Sequence, residues 1–203
     1  MSCIICREIR RQIPVTEGCV LDFNLTYPEL CYPSAVTVRY RREAEGLLQR
    51  VIRLCRTTLP ALPKGVLGER LRFDYSYTIG WEREDMLSLY FDCYEDLGLF
   101  HTGLGRRSEV WRLPEGRLMG NRELFRSSAE VRRRVNAHIE AEMSAAPTGH
   151  WFGGWQHKPR WFFLTERGLC VYFRPGDIAA GAAGIPVFLI PWSALEGCLN
   201  FPL

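Results

Sequence analysis

The sequence lacks the short motifs that identify most enzymes and cofactor-binding proteins. It contains no G-x-S-x-G nucleophile elbow, no phosphate-binding P-loop, no G-x-G-x-x-G dinucleotide signature and no H-E-x-x-H zinc motif. Its close carboxylate pairs, such as Glu82 with Glu84, are typical of solvated surfaces. We therefore predict no catalytic residue, no bound metal and no cofactor.

Long hydrophobic runs and a large excess of one charge are also missing. The net charge is only +3, with 24% of the residues charged, which does not indicate a nucleic-acid or membrane partner. The most apolar window, residues 178–192, is interrupted by glycine and proline and falls short of the ~20 residues of a membrane helix. The first residues show no secretory apolar run of about 7 to 15 residues. We therefore expect a soluble, cytoplasmic protein.

The chain has eight cysteines, an even number that invites a disulfide interpretation. Cys55, Cys93 and Cys170 lie at apolar positions of periodic segments, where a reduced cysteine acts as a small core residue. Because no export signal is visible, we predict free thiols throughout. Cys3 and Cys6 form a C-x-x-C pair, which leaves open a zinc half-site or a redox pair, although an ordinary pair without a ligand is favoured.

Hydrophobic periodicity predicts an α+β protein. The elements indicated are strands before residue 28, a helix over 38–59, strands over 71–79, 86–94 and 109–113, and a second helix over 128–145. Ser127 and Glu130 have the spacing of a helix capping box. This order favours antiparallel sheets, a meander and a hairpin, each packed by one long amphipathic helix. We predict a strand–helix–meander subdomain over residues 1–126 and a helix–hairpin–strand subdomain over residues 127–203.

The segment from 161 to 195 is the most informative part of the chain. Two apolar strands flank a turn predicted at Arg167-Gly168, and a loop of small residues leads to a third apolar strand that opens at Pro186. We predict a β-hairpin followed by a strand. Gly168 and Gly184 are expected to have positive φ angles, since tight turns favour them.

Residues along this segment and upstream of it follow a recurring pattern. The positions are Phe162-Phe163-Leu164-Thr165, Gly168-Leu169, Val171-Tyr172-Phe173, Pro175, Ile178-Ala179, Gly184 and Phe188-Leu189-Ile190-Pro191-Trp192, with Leu87-Ser88, Trp111-Arg112-Leu113, Gly116 and Glu123-Leu124-Phe125 before them. The pattern resembles the RsiV/PdaC-type C-terminal domain family. That family includes the extracellular end of a lysozyme-sensing anti-sigma factor and a non-catalytic part of a peptidoglycan deacetylase.

The resemblance implies a domain that recognises a protein or cell-wall-related ligand without transforming it. Family members carry G-G-A-H-G between central strands, and here only Gly98 and His101 match that segment. No companion nucleophile, metal-ligand spacing or phosphate loop lies near His101 in sequence, so we predict a structural role, in which a ring nitrogen bonds a backbone carbonyl or a side chain and pins the loop. Lysozyme sensing does not carry over, because the sequence shows no anti-sigma segment. The alternatives are a small enzyme using His101 with a nearby carboxylate, or a zinc or redox protein using Cys3 and Cys6.

Aromatic residues collect around two glycines in the segment 150–161. Trp151, Phe152 and Trp155 lie there together with His157. Exposed aromatic rings of this kind form binding platforms for sugars and proteins. The same residues could fold back as a lid over the core. The two interpretations are nearly balanced, with the lid slightly favoured. If the domain has a binding surface, we predict it at Trp151, Phe152, Trp155 and His157.

Overall fold

The computed structural model describes residues 4–63, 65–146, 151–152 and 161–203. They form a six-stranded sheet in the order β1-β2-β3-β4-β5-β6 and a three-stranded sheet in the order β7-β8-β9. The strands are Ile4–Thr16, Cys19–Leu30, Arg70–Glu82, Met86–Asp96, Thr102–Arg112, Arg117–Leu118, Phe162–Thr165, Gly168–Tyr172 and Val187–Pro191, and the α-helices, α1 to α3, are Ala35–Arg53, Asn121–Leu124 and Ser128–Ala145. The predicted α+β class is confirmed.

The chain divides into two compact units that do not follow the predicted order of segments. The first unit contains Met1–Tyr77 and Phe91–Gly105, and the second contains Thr78–Tyr90 and Arg106–Leu203. The boundary predicted at residues 126/127 falls inside the second unit. Among the described residues, no helix is both long enough and apolar enough to cross a bilayer.

The first unit is built on a long hairpin followed by a helical crossover. β1 and β2 pair antiparallel, with Ile4 opposite Leu30 and Ile13 opposite Leu21. Helix α1, capped by the Ser34 hydroxyl, then returns the chain so that β2 and β3 pair in parallel. This parallel pair departs from the predicted all-antiparallel sheets, because a helical crossover brings the next strand back in the same direction.

Aromatic and aliphatic side chains form the core of the first unit between α1 and the strands. Tyr40 of α1 packs on Phe91, with ring centroids 5.1 Å apart, and Phe91 also stacks on Tyr75. Phe23 and Phe73 stack across the parallel pair at 5.3 Å. The α-helix ends at Arg53, earlier than predicted, and the chain continues as a π-helix over Leu54–Thr58 and a 3-10 helix over Leu59–Ala61.

The second unit packs α3 against the three-stranded sheet. The Ser127 hydroxyl accepts a hydrogen bond from the Glu130 backbone N–H, as the capping-box spacing predicted. The apolar face of α3 presents Val131, Val135 and Ile139 to a core of buried residues, which also includes Leu124, Phe162, Leu164, Leu169, Val171, Phe173, Phe188, Ile190 and Leu195. The fully buried Ser88 hydroxyl accepts a hydrogen bond from the Leu164 N–H at 2.8 Å.

The cysteines correct one part of the sequence analysis. Cys55 and Cys170 are buried and free, and Cys93 is half-buried and free, which confirms the prediction of free thiols at these three positions. Cys31, however, is disulfide-bonded, so the prediction of free thiols throughout is wrong. Apolar periodicity identified the core cysteines, but Cys31 follows a strand end and has no such pattern. A disulfide is typical of oxidising compartments. The cysteines therefore no longer support a reducing compartment for this protein.

Candidate binding surface

The turn that joins β4 to β5, residues 97–101, is held by its own backbone. The Leu97 N–H donates to the His101 carbonyl at 2.7 Å, and the Gly98 N–H donates to Asp96 Oδ1 at 3.2 Å. Gly98 has a φ of +66°, a left-handed conformation that glycine adopts without steric cost. The sequence Asp96-Leu97-Gly98 therefore determines this turn locally.

A second contact fixes the turn against a neighbouring loop of the first unit. The Leu99 N–H donates to the Val66 carbonyl at 2.9 Å. A Cβ atom at Gly98 would lie 2.8 Å from that same Val66 oxygen and 3.1 Å from the Gly68 nitrogen. Only glycine allows the two backbones to approach this closely, so the backbone of the turn has a defined position.

The fixed turn presents apolar side chains to solvent. Leu99 is 86% exposed, Phe100 44% and Leu104 40%. Isolated exposed apolar residues are common on protein surfaces, but clusters of them mark interaction sites. Here three such residues lie within six positions on a turn and the strand that follows. We call Leu99, Phe100 and Leu104 the apolar tip.

His101 lies at the base of the apolar tip and contacts a carboxylate. Its Nε2 atom lies 3.2 Å from Glu95 Oε2, and its side chain is 49% exposed. Gly103 provides room for the ring, because a Cβ atom there would lie 2.7 Å from His101 Nε2. A ring nitrogen of His101 thus meets a side chain, as the structural role requires.

Glu95 also contacts a thiol, which bears on the enzyme alternative. The Cys93 thiol donates to Glu95 Oε1 at 3.7 Å. The carboxylate therefore lies between the thiol and the imidazole. In cysteine and serine nucleophile systems the imidazole contacts the nucleophile and the carboxylate orients the imidazole from behind. Because Glu95 lies between the two groups, His101 cannot remove the Cys93 proton directly.

The electrostatics of Cys93 point the same way. Burial raises the pKa of the Cys93 thiol to about 12, and the nearby carboxylates of Glu95 and Asp74 add to the shift. A thiolate is the nucleophilic form of cysteine, and this site disfavours it. The Cys93–Glu95–His101 cluster is therefore suited to holding the loop and unsuited to nucleophilic chemistry.

The predicted aromatic binding segment is only partly described. Trp151 packs against the core of the second unit, with its ring 5.6 Å from that of Phe188. The Phe152 N–H donates to the Ile178 carbonyl at 2.8 Å, and the Phe152 side chain is 46% exposed. Trp151 therefore covers the core, as the lid alternative predicts. Phe152 is exposed enough to contact a ligand. Trp155 and His157 lie outside the described residues.

The two glycines predicted to need positive φ behave differently. Gly184 has a φ of +77°, which confirms that prediction. Gly168 is not among the positive-φ glycines, so the prediction for it is wrong. The hairpin turn lies at Glu166-Arg167, one residue earlier than predicted, and Gly168 opens β8 opposite Pro191. A side chain is excluded there for another reason: its Cβ atom would lie 2.2 Å from the Ile190 carbonyl oxygen.

The second unit contains a small apolar cavity beside the start of α3. Its volume is about 150 Å³, and its walls include Phe125, Val131, Phe162 and Leu169, with Ser128 and Arg132 also lining it. Small-molecule sites usually enclose roughly 300 to 1,000 Å³. The cavity has room for little more than one side chain, so it does not provide a ligand pocket of the usual size.

The described residues do not form a metal-binding cluster. No group of three or more His, Cys, Asp or Glu side chains in the described ranges is arranged to hold a metal ion. Cys6 is exposed and free, whereas Cys3 lies outside the described residues. The zinc and redox alternatives for this pair therefore gain no support from Cys6.

Comparison with known proteins gives one match to a family model. Residues 122–193 match the model of the DUF3298 family, described as a protein of unknown function. The match covers about one third of the chain and lies within the second unit. No curated protein matches the chain.

Two solved structures resemble the whole chain. A DUF3298 family member from Bacteroides fragilis is 12% identical with a TM-score of 0.74, and the similarity covers 98% of this chain and 94% of that one. A DUF3298 family protein from Pseudomonas aeruginosa PAO1 is 11% identical with a TM-score of 0.71, covering 100% and 98%. At these identities the likeness establishes the fold alone.

Sequence reasoning placed His101 in a linking loop but did not identify the apolar tip. The available signal was the pair Leu99-Phe100 directly after Gly98, because a glycine turn usually carries polar neighbours. Hydrophobic periodicity could not find it, since the residues lie between strands. The contact with Val66, which fixes the turn, joins positions that are distant in sequence and was not predictable from either segment.

Proposed function

We propose that the chain is a non-enzymatic recognition domain that binds a protein ligand through the apolar tip. The observation that carries the proposal is the exposure of Leu99 and Phe100 on a turn that is fixed by hydrogen bonds. A fixed backbone loses little conformational entropy on binding, so exposed apolar anchors on it bind efficiently. An enzyme using His101 is less well supported because of the order of groups in the Cys93–Glu95–His101 cluster.

The resemblance to the RsiV/PdaC-type family supports recognition over catalysis, and the chemistry of the tip favours protein over glycan. Sugar-binding surfaces use flat aromatic rings together with hydrogen-bonding groups. The apolar tip instead exposes Leu99 and Phe100 on a protruding turn. Such side chains fit an apolar pocket on a partner protein. Phe152 is a separate exposed residue in the second unit, and its role in binding stays a prediction.

The test compares a tip variant with a matched surface variant. Leu99→Ser with Phe100→Ser removes the two anchors, and Leu118→Ser with Val187→Ser makes the same kind of change at two residues that are 39% and 40% exposed. Each immobilised protein captures partners from a lysate of the source organism. Captured proteins are identified, purified and titrated against all three forms, and sedimentation with purified peptidoglycan is measured in parallel.

We expect a purified partner to bind the wild type and the matched variant equally and to bind the tip variant at least about tenfold more weakly. Equal binding by all three forms would exclude the tip as the contact. Sedimentation of all three with peptidoglycan, and no purified protein partner, would replace the protein ligand by a cell-wall glycan.

A further inference from the structure

The outer strand of the large sheet in the first unit has an open edge. β1 spans 13 residues, most of them exposed, and pairs with β2 on one side. No described strand pairs with its other side. An open edge presents unpaired backbone N–H and C=O groups, and many recognition domains bind an extended peptide there as an added strand.

The register identifies which backbone groups face the open edge. The Val20 N–H donates to the Glu69 carbonyl at 3.0 Å, away from β1, and Val20 is opposite Pro14. The Pro14–Val20 pair is therefore a non-hydrogen-bonded pair, and such pairs recur at every second position. It follows that the N–H and C=O groups of Cys6, Glu8, Arg10 and Gln12 point outwards.

The open stretch has a defined end. Pro14 has no N–H to offer, and the register shifts between Pro14 and Thr16. Prolines and bulges of this kind block strand addition. The edge is therefore closed beyond Gln12 and open from Cys6 to Gln12, a length that suits an added strand of about seven residues.

A groove beside the open edge provides a place for a side chain. It lies between β1 and α1, has a volume of about 350 Å³, and is lined by Ile13, Pro14, Leu48 and Ile52 together with Arg11, Gln12 and Arg56. Side chains of a strand alternate between its two faces. An added strand would place every second side chain on this face, with an apolar one in the groove.

The charges at the edge select an acidic partner. From Ile4 to Ile13, β1 carries three arginines and one glutamate, a net charge of +2. Arg10 pairs with Glu8 and Arg7 with Glu29. Arg11 donates to the Arg10 carbonyl, and neither Arg11 nor Arg56 has a carboxylate partner among the described residues. These two guanidinium groups flank the apolar groove and can pair with carboxylates.

The same charges give a second copy of this chain no net attraction as the occupant. Antiparallel pairing of two β1 edges through their outward groups places Arg10 opposite Arg10 or Glu8 opposite Glu8 in two registers, and in a third it places Arg7 opposite Arg11 while Glu8 faces Arg10. Like charges directly opposite each other destabilise a strand pair. A partner strand with acidic side chains on the groove face meets Arg11 there and not Glu8, which lies on the other face of β1.

We infer that the β1 edge binds an extended acidic segment of a partner protein as an added strand, with an apolar side chain in the groove and acidic side chains two residues before and after it, on the same face, at Arg11 and Arg56. This surface is distinct from the apolar tip, and the inference stands without the proposed function. Variants of the apolar tip test the proposed function, and variants of the β1 edge test this inference, so either can fail without the other.

The probe is an end-capped peptide of about seven residues, the length of the open stretch. It has the sequence Thr-Glu-Thr-Val-Thr-Glu-Thr, which places the valine and both glutamates on one face. Two control peptides have proline at the centre, or lysine in place of glutamate. Binding to the full chain is measured by calorimetry. We expect both control peptides to bind at least about tenfold more weakly, and we expect binding of the probe to weaken as salt rises.

Variants of the chain test the backbone and the charges separately. Arg10→Pro removes an outward N–H that β2 does not use, and Arg10→Gln removes the same charge while keeping that N–H. Arg11→Glu with Arg56→Glu reverses the charges at the groove, and Arg122→Glu with Arg126→Glu is the matched change elsewhere. We expect a loss of at least about tenfold for Arg10→Pro and for the groove reversal, and little change for the two controls.

Amide exchange by NMR shows which backbone groups the probe covers. The probe should slow exchange at Cys6, Glu8, Arg10 and Gln12, while exchange at Leu99 stays unchanged. If the proline peptide bound as tightly as the probe, the binding would be unspecific charge attraction and the inference would be wrong. The inference would also be wrong if the probe did not bind. A dimer in sedimentation equilibrium, with these four amides protected before peptide is added, would make a second copy the occupant.

Discussion

Two hairpins of this protein have turns whose backbones are fixed, but they expose different kinds of side chain. In the β7–β8 turn of the second unit, Trp192 Nε1 donates to the carbonyls of Thr165 and Glu166 at 3.2 and 3.1 Å, and the exposed side chains are the charged Glu166 and Arg167. The β4–β5 turn of the first unit is held by its own backbone hydrogen bonds, and it exposes the apolar Leu99 and Phe100. Charged side chains on a fixed turn are well solvated, whereas apolar ones gain free energy when a partner covers them.

Glycine has a different function in each turn. Gly168 has ordinary strand geometry and is required because the Ile190 carbonyl approaches its Cα closely. Gly98 has a positive φ and also lies close to a backbone oxygen. The β7–β8 turn therefore depends on packing, and the β4–β5 turn depends on both conformation and contact. Substitutions at the two glycines measure how strongly each turn is coupled to the rest of its unit.

The largest effect is expected at Gly168, the buried first residue of β8. Gly168→Ala places a Cβ atom 2.2 Å from the Ile190 carbonyl oxygen and 2.9 Å from its carbon, so β8 and β9 must separate. We expect the free energy of unfolding to fall by about 3 kcal/mol, the upper part of the range for overpacked sites. Urea denaturation measures the change.

The control for this prediction is Gly181→Ala, where an added Cβ atom meets nothing within 4 Å and φ is not positive. That variant should keep the stability of the wild type within about 0.5 kcal/mol. If Gly168→Ala were equally harmless, β8 and β9 would be able to move apart freely, and the contrast between the turns would disappear.

Gly98→Ala should have a smaller but clear effect. A left-handed conformation costs a residue with a side chain about 1–2 kcal/mol, and the Cβ atom would lie 2.8 Å from the Val66 carbonyl oxygen. We expect a loss of about 2 kcal/mol in the free energy of unfolding, because an exposed turn can shift more easily than two core strands. Gly105→Ala, in open space on β5, is the matched control, and a loss of equal size there would remove the role of Gly98.

The thiols beneath the two turns respond to pH in the same direction. Burial raises the pKa of Cys170 in β8 and raises the pKa of Cys93 in β4 to about 12. A thiol with a raised pKa favours the folded state while it is protonated, and this contribution is lost as pH rises from the ordinary thiol range towards the folded pKa. We expect stability to fall between about pH 9 and pH 12, and less steeply in Cys93→Ala.

The rate of alkylation at a single pH tests whether the Cys93 thiol is shielded and protonated. At pH 8 the exposed Cys6 should react with iodoacetamide well before Cys93, as followed by mass spectrometry of tryptic peptides. Cys198, which is buried, serves as the reference for slow reaction through local unfolding. Labelling of Cys93 as fast as Cys6 would show that its thiol is accessible and ionisable, and the case against nucleophilic chemistry would weaken.

The sequence predicted regular structure better than it predicted the two turns. Helix α3 begins at Ser128 as its capping box indicated, and the alternation from residue 71 to 79 marked the centre of β3. These signals are local, since periodicity and caps act over a few residues. The reason for Gly168 depends on Ile190, and the position of Leu99 depends on Val66, so neither could be obtained from its own segment. The disulfide at Cys31 is likewise a contact that local pattern does not report.

The smallest effect on stability is expected at the centre of the apolar tip. Leu99 is 86% exposed, so Leu99→Ser removes almost no buried surface, and its backbone bond to Val66 does not involve the side chain. We expect the free energy of unfolding to change by less than about 0.5 kcal/mol, the usual range for surface substitutions. Urea denaturation of the variant beside the wild type measures this. A loss above about 1 kcal/mol would mean that Leu99 is covered in solution and supports the fold. The β4–β5 turn would then contribute to the fold through its side chain, and the apolar tip would no longer be free to bind a partner.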